Sequence, residues 1–295
     1  MIQEDLAKSL FKQISSLNLS PVPNDRYTFK DTIKQRLLDK GEDFNFEFNS
    51  NKTFEVELRC DLYKKALFSD YYFGKIRIEE QVKSLQTLIG NKNQVAWTLV
   101  TTYYSIYFMA VEISKLFGIY IINFSKDDML NMFTRSTGSV PDGFIDENNK
   151  NFSYQVSVNH SEYDGFVKLK YTPKSPRPHV EVWKNITEVV KRLEVSDNIK
   201  QHQTLFLNIC GYENKRWHIP SKIRNDWNYS FANYYGEAGT KLGHTFIKII
   251  GSKGSSISWG NKRDIQPHPK NIVASISYIY HCLIEVIYKV DNRIN

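Results

Sequence analysis

Residues 96–118 read AWTLVTTYYSIYFMAVEISKLFG, and this stretch decides the fold. Trp97, Val100, Tyr104, Tyr107, Phe108 and Val111 fall on one helical face, while Leu99, Tyr103, Ile106, Ala110 and Ile113 cover another. A helix that is apolar nearly all round has to be enclosed by other elements, so residues 93–118 predict the central helix of a bundle. Glu112 and Lys115 interrupt the apolar span from Trp97 to Phe124, which favours a buried helix over a membrane span.

Helical periodicity recurs on both sides of this stretch. Leu6, Leu10, Ile14 and Leu17 form one stripe, and a second helix is expected over residues 30–40 with Gly41 as its stop. From Tyr71 onward Ile78, Val82, Leu85 and Leu88 make another stripe, ended by Gly90. Val182, Ile186, Val189 and Leu193 predict a helix, and residues 199–212 a further one with Asp197 as N-cap. Ile272, Ile276, Ile279, Leu283, Ile287 and Val290 mark a long helix near the end of the sequence.

Between these helices the period changes to two. Phe44, Phe46 and Phe48 alternate with polar residues, as do Phe54, Val56 and Leu58, and Asn49-Ser50-Asn51 supplies a turn. A second hairpin is expected from Phe152, Tyr154, Val156 and Val158 paired with Val167, Leu169 and Tyr171. Residues 245–250 and 256–259 flank a Gly-Ser run and suggest a third. Residues 134–150, rich in Ser, Thr, Gly, Asp and Asn, read as an exposed loop. The class is mainly α (α+β), a helical bundle carrying β-hairpin insertions. The chain divides into 1–70, N-terminal helices plus hairpin, and 71–295, a helical domain with a β insertion near 150–172.

Of 295 residues, 41% are hydrophobic and 24% charged, which excludes wholesale disorder. The formal net charge of +7 and a pI near 9.0 permit a polyanionic partner without specifying one. Three scattered cysteines, Cys60, Cys210 and Cys282, form neither a disulfide framework nor a metal knuckle, and each reads as a small core residue. Acidic residues precede any apolar run at the N-terminus, so no signal peptide is read and a cytoplasmic location is expected.

Chemistry-bearing motifs are scarce. The seven histidines show no HxH or HExxH spacing, so no metal or cofactor is expected. Residues 251–256, GSKGSS, lack the Walker triplet and read as a turn. Glu79-Glu80 and Asp127-Asp128 are paired carboxylates suited to helix starts, where they oppose the positive end of the dipole. What remains is residues 215–235, KRWHIPSKIRNDWNYSFANYY, in which Pro220 opens a helix expected to reach Tyr235. On it Arg224 and Asn228 share a face, as do Asn225 and Tyr229, while Ile223, Trp227 and Phe231 pack. Asn and Asp in a helix middle lower its propensity, so something beyond local stability retains them. A polar ladder between helices and a ligand-facing surface both fit.

The run from Ala96 to Gly118 and the motif IRNDWNYS, residues 223–230, together resemble the HEPN domain. The resemblance implies a compact helical bundle that dimerises, and a metal-independent endoribonuclease of antiphage or toxin–antitoxin systems. The HEPN motif is Arg, four to six residues, then His. By that pattern Arg224 is the motif arginine and Asn225 its polar neighbour, with Asn228 helping to position a phosphate. Tyr229, Ser230 and Phe231 occupy the window where the histidine belongs. Imidazole exchanges protons near neutrality, whereas tyrosine titrates near ~10, so the proton role falls to Tyr229 or to His218, six residues before Arg224. The implied partner is nucleic acid, RNA rather than DNA, with a protein partner or antitoxin and a second copy of the chain in addition. A module of the same fold that binds nucleic acid or a protein without cutting is the alternative.

Overall fold

A computed structural model describes residues 2–16, 27–39, 45–49, 52–91, 94–137, 142–145, 151–159, 165–174, 177–211, 220–230, 237–262 and 269–294. The described residues form eleven α-helices and one five-stranded antiparallel sheet. The mainly helical α+β class therefore holds. Contacts group the chain into two units: Met1–Lys12, Gly74–Ile113 and Val182–Asn295 in the first, Gln13–Phe73 and Ser114–Glu181 in the second. The division expected at residue 70 followed chain order, whereas this grouping follows strand pairing.

The second unit is built on the sheet. Strands β1 (Asn45–Phe48) and β2 (Phe54–Arg59) form the first expected hairpin, β4 (Asn151–Asn159) and β5 (Phe166–Pro173) the second. They are not separate insertions, because β2 pairs with β5, and the order is β1-β2-β5-β4-β3. The fifth strand, β3 (Ile119–Ser125), falls where buried helix was expected. Gly118 adopts φ +75, the left-handed turn that ends a helix, and the β-branched isoleucines after it suit a sheet.

Period two places Phe54, Val56, Val167, Leu169, Tyr171, Tyr154, Val156 and Tyr120 on the buried face. Their rings interlock. Phe54 stacks on Tyr171 at 4.4 Å, and Phe133 meets Phe48 and Phe54 edge-on at 4.9 and 5.3 Å. Phe133 belongs to α5 (Lys126–Thr137), which takes up the first residues of the expected loop. Ser125 and Asp128 start α5 with a reciprocal capping box, each backbone N–H donating to the other's side chain at 3.0 Å. Asp127-Asp128 thus cap, as expected, but Glu79-Glu80 lie in the middle of α3 (Cys60–Gly90), which starts well before Tyr71. The short helix α2 (Ile33–Leu38) follows a 3-10 turn over Phe29–Asp31.

In the first unit α9 (Glu237–Ile250) and α10 (Lys253–Lys262) pack on α11 (Pro269–Ile294). They replace the expected third hairpin. Phe246, Ile247 and Ile250 are buried at helical rather than alternating spacing, and Gly260 lets α10 close on Tyr278, whose ring stands 2.5 Å from an added Cβ. The helices α1 (Ile2–Ser16), α6 (Pro178–Lys191) and α7 (Asp197–Cys210) appear where periodicity puts them, except that Ser196 takes the N-cap position and Asp197 the first turn. Helix α4 (Val95–Leu116) matches the opening stretch but is not enclosed all round: Leu99, Tyr103, Ile106, Ala110 and Ile113 are buried, whereas Trp97 is exposed and Tyr104, Tyr107, Phe108 and Val111 are half-buried.

Among the described residues only α11 is long and apolar enough to cross a membrane, and 83% of its apolar window is buried, as in a core helix. Cys210 and Cys282 are buried on α7 and α11, and burial pushes the Cys282 thiol up to about 12, so both behave as apolar core residues. His281 Nε2–H donates to the Ile250 carbonyl at 3.0 Å.

Three stability measurements follow. Tyr171→Phe removes a buried hydroxyl that has no hydrogen-bond partner, so stability should hold or rise, by up to about 1 kcal/mol, read as an unchanged or higher melting temperature. Gly260→Ala should cost about 1–3 kcal/mol by forcing a methyl against Tyr278. Burial depresses the His281 pKa below 6.5, with nearby Lys253 adding to it. The unfolded chain then binds the proton first, so stability is full above pH 6.5 and falls as pH drops through the window below it. A melt series from about pH 7.5 to about pH 5 should show this loss in the wild type and not in His281→Gln.

Candidate functional site

Pro220 opens α8 (Pro220–Asn225) at the position where its missing N–H costs nothing, and Ile223 and Trp227 bury the packing side. The helix does not run on to Tyr235 as an α-helix. From Asp226 to Ser230 the chain winds as a π-helical turn, and residues 231–236 lie outside the described part. A π turn bonds i to i+5, so the residue brought over Arg224 is Tyr229 and not Asn228. The Arg224 guanidinium lies 5.8 Å from the Tyr229 ring centre. Among the described contacts Asn228 makes no hydrogen bond to Arg224, and Asn225 is the neighbour that accepts one from it.

The guanidinium is held by neutral groups. One Nη2–H donates to the Tyr104 hydroxyl at 2.8 Å and one Nη1–H to the Asn225 side-chain carbonyl at 2.6 Å. The rings of Tyr104 and Tyr103 stand 5.4 and 5.7 Å from it. Nε is buried without a partner, and no described carboxylate pairs with Arg224. Among the described residues this half-buried positive charge therefore has neutral partners and no counter-ion. Among the described residues no histidine touches it. Burial pushes the Tyr103 hydroxyl well above its ordinary range, and the Arg224 charge offsets this only partly. His218 lies outside the described residues.

Tyr104 is a contact of the site that the motif did not announce. It stands on α4, 120 positions before Arg224, and only the doublet Tyr103-Tyr104 inside an apolar helix hinted at it. The same face continues along α4. Tyr104 and Phe108 rings are 6.2 Å apart, and the Arg77 guanidinium of α3 covers Phe108 at 4.1 Å. Arg77 Nη2 also reaches Glu112 Oε1 at 3.3 Å, and the Glu112 side chain is fully buried. Gly74 makes room for that carboxylate, because a Cβ there would land on it. Tyr229, 77% exposed, is the site's solvent-facing aromatic, and Trp97, two turns before Tyr104 on α4, is 63% exposed. No group of three or more His, Cys, Asp or Glu able to hold a metal occurs among the described residues.

Tyr104→Phe tests the hold on Arg224. It should lower stability by about 1–2 kcal/mol, the worth of a hydrogen bond to a charged donor, without changing secondary structure by circular dichroism. The chain matches no family model, no curated protein and no solved structure.

Proposed function

We propose that the chain is a HEPN-like, RNA-directed effector in which Arg224 grips a backbone phosphate. The observation that carries this reading is the Arg224 guanidinium: charged, held by Tyr104 and Asn225, and unmatched by any described carboxylate. Arginine meets phosphate oxygens with paired N–H donors, and its buried setting strengthens each bond. Exposed Trp97 and Tyr229 supply faces on which unstacked bases can lie, and the +7 net charge favours a polyanion. In a cleavage reaction Arg224 would stabilise the charge that gathers on the scissile phosphate as a ribose 2′-hydroxyl attacks, with Asn225 keeping the guanidinium in place. Tyr229, over the guanidinium, or His218 would move the proton. The antiphage or toxin–antitoxin setting, an antitoxin partner and a homodimer belong to this same reading.

Binding without cutting is the second reading. It is favoured by the absence of a histidine beside Arg224 among the described residues. Phosphate contact and stacking need no general base.

The experiment compares wild type, Arg224→Ala and His218→Ala for binding and cleavage of labelled single-stranded RNA, and for toxicity on expression. Arg224→Ala should lose tenfold or more in affinity, about 1.4 kcal/mol. Equal behaviour of wild type and Arg224→Ala sinks the assignment. Cleavage abolished in both variants establishes the nuclease, while binding without any cleavage in the wild type establishes the second reading.

A further inference from the structure

We propose that Arg77 is a second phosphate contact, and that single-stranded RNA runs along α4 from Arg224 to Arg77. The inference rests on the RNA-directed reading of Arg224 and extends it to a residue that no motif includes. The contacts form an unbroken series within one unit. Tyr229 and Tyr104 flank Arg224 at 5.8 and 5.4 Å, Phe108 follows Tyr104 at 6.2 Å, and Arg77 closes over Phe108 at 4.1 Å. Two cations thus bracket a pair of aromatic rings, an arrangement that can track a backbone while bases stack. Tyr104 and Phe108 are one helical turn apart, and their 6.2 Å spacing is nearly twice the ~3.4 Å step per nucleotide of a duplex strand. An extended single strand fits that spacing better than a stacked duplex does.

Glu112 gives Arg77 its fixed direction. Its carboxylate is fully buried, yet the Arg77 side chain is 47% exposed. Nη2 faces inward to Glu112 at 3.3 Å, and the guanidinium carbon lies over the Phe108 ring, 4.1 Å from its centre. The other N–H donors of the fork have no described acceptor. A buried acid behind a stacked arginine holds it in one orientation and leaves its outer edge for an oxygen ligand. The same acid tempers the charge, so removing it should strengthen the contact.

The test measures binding of a fluorescein-labelled oligouridylate over a range of potassium chloride. Four proteins are compared: wild type, Arg224→Ala, Glu112→Gln, and the double variant Arg77→Met/Glu112→Gln. The double variant keeps the net charge of the wild type, so a loss of binding reports the position and not the overall charge. It should bind several-fold more weakly, with a salt slope shallower by about 0.7, the loss of one phosphate contact on a single strand. Glu112→Gln should bind more tightly than wild type, because Arg77 keeps a hydrogen-bond partner but loses its counter-ion. This variant also carries the test should the double variant fail to fold. If wild type binds and Arg224→Ala weakens it, while the Arg77 and Glu112 variants bind as wild type, the second contact is overturned and the Arg224 reading stands. If wild type does not bind RNA at low salt, the Arg224 reading fails and this inference with it.

Discussion

The buried side of α4 has to satisfy its polar atoms without water, and with the exception of Ser114 its serine and threonine hydroxyls do so within the helix. Thr98, Thr102 and Ser105 are buried on a helix whose neighbours are apolar, and each hydroxyl donates to the carbonyl four residues back, at 3.0, 2.7 and 2.9 Å. A hydroxyl folded back on its own helix needs nothing from a neighbour, so that side of the helix can be covered by apolar residues. Helix α11 uses the same device at Ser277, whose hydroxyl donates to the Val273 carbonyl at 3.1 Å. What the hydroxyls cannot do is neutralise Glu112. That one charge needs an arginine from another helix and a glycine beside it, which Arg77 and Gly74 supply.

The half-exposed face of the same helix presents Tyr104, which holds Arg224 from outside its own element. Two features then make Arg224 different from the other described arginines. Arg36 and Arg59 are each paired with an aspartate, Asp31 and Asp61 respectively, while Arg224 is held by a phenol and an amide. The π-helical turn adds an exposed tyrosine over the guanidinium that regular α-helical winding would have rotated away. The polar residues of IRNDWNYS, costly in an ordinary helix, sit where the winding changes.

Most of the helices and both hairpins were legible because burial on one face leaves a period in the sequence. The failures have specific causes. Ile119–Ser125 continued an apolar run, and nothing in its hydrophobicity separates buried strand from buried helix; the left-handed Gly118 does. Residues 246–250, FIKII, satisfy alternation and helical spacing equally over so short a length, and packing on α11 chose the helix. The aromatic excess went mainly into packing, as in the Phe48, Phe54 and Phe133 cluster, with a few rings left facing solvent.

By itself the sequence determined the class and the buried side of α4, because these follow from periodicity along the chain. Tertiary structure alone decided that two hairpins and a third segment make one sheet, and that Arg224 is partnered by Tyr104 and Tyr229 instead of Asn228. The placing of Arg77, likewise, comes from its contacts with Phe108 and Glu112 on the neighbouring helix. The physical reason is common to all three: contacts between residues far apart in the chain leave no period, and a local change in helical winding re-aims side chains that sequence spacing alone would pair otherwise.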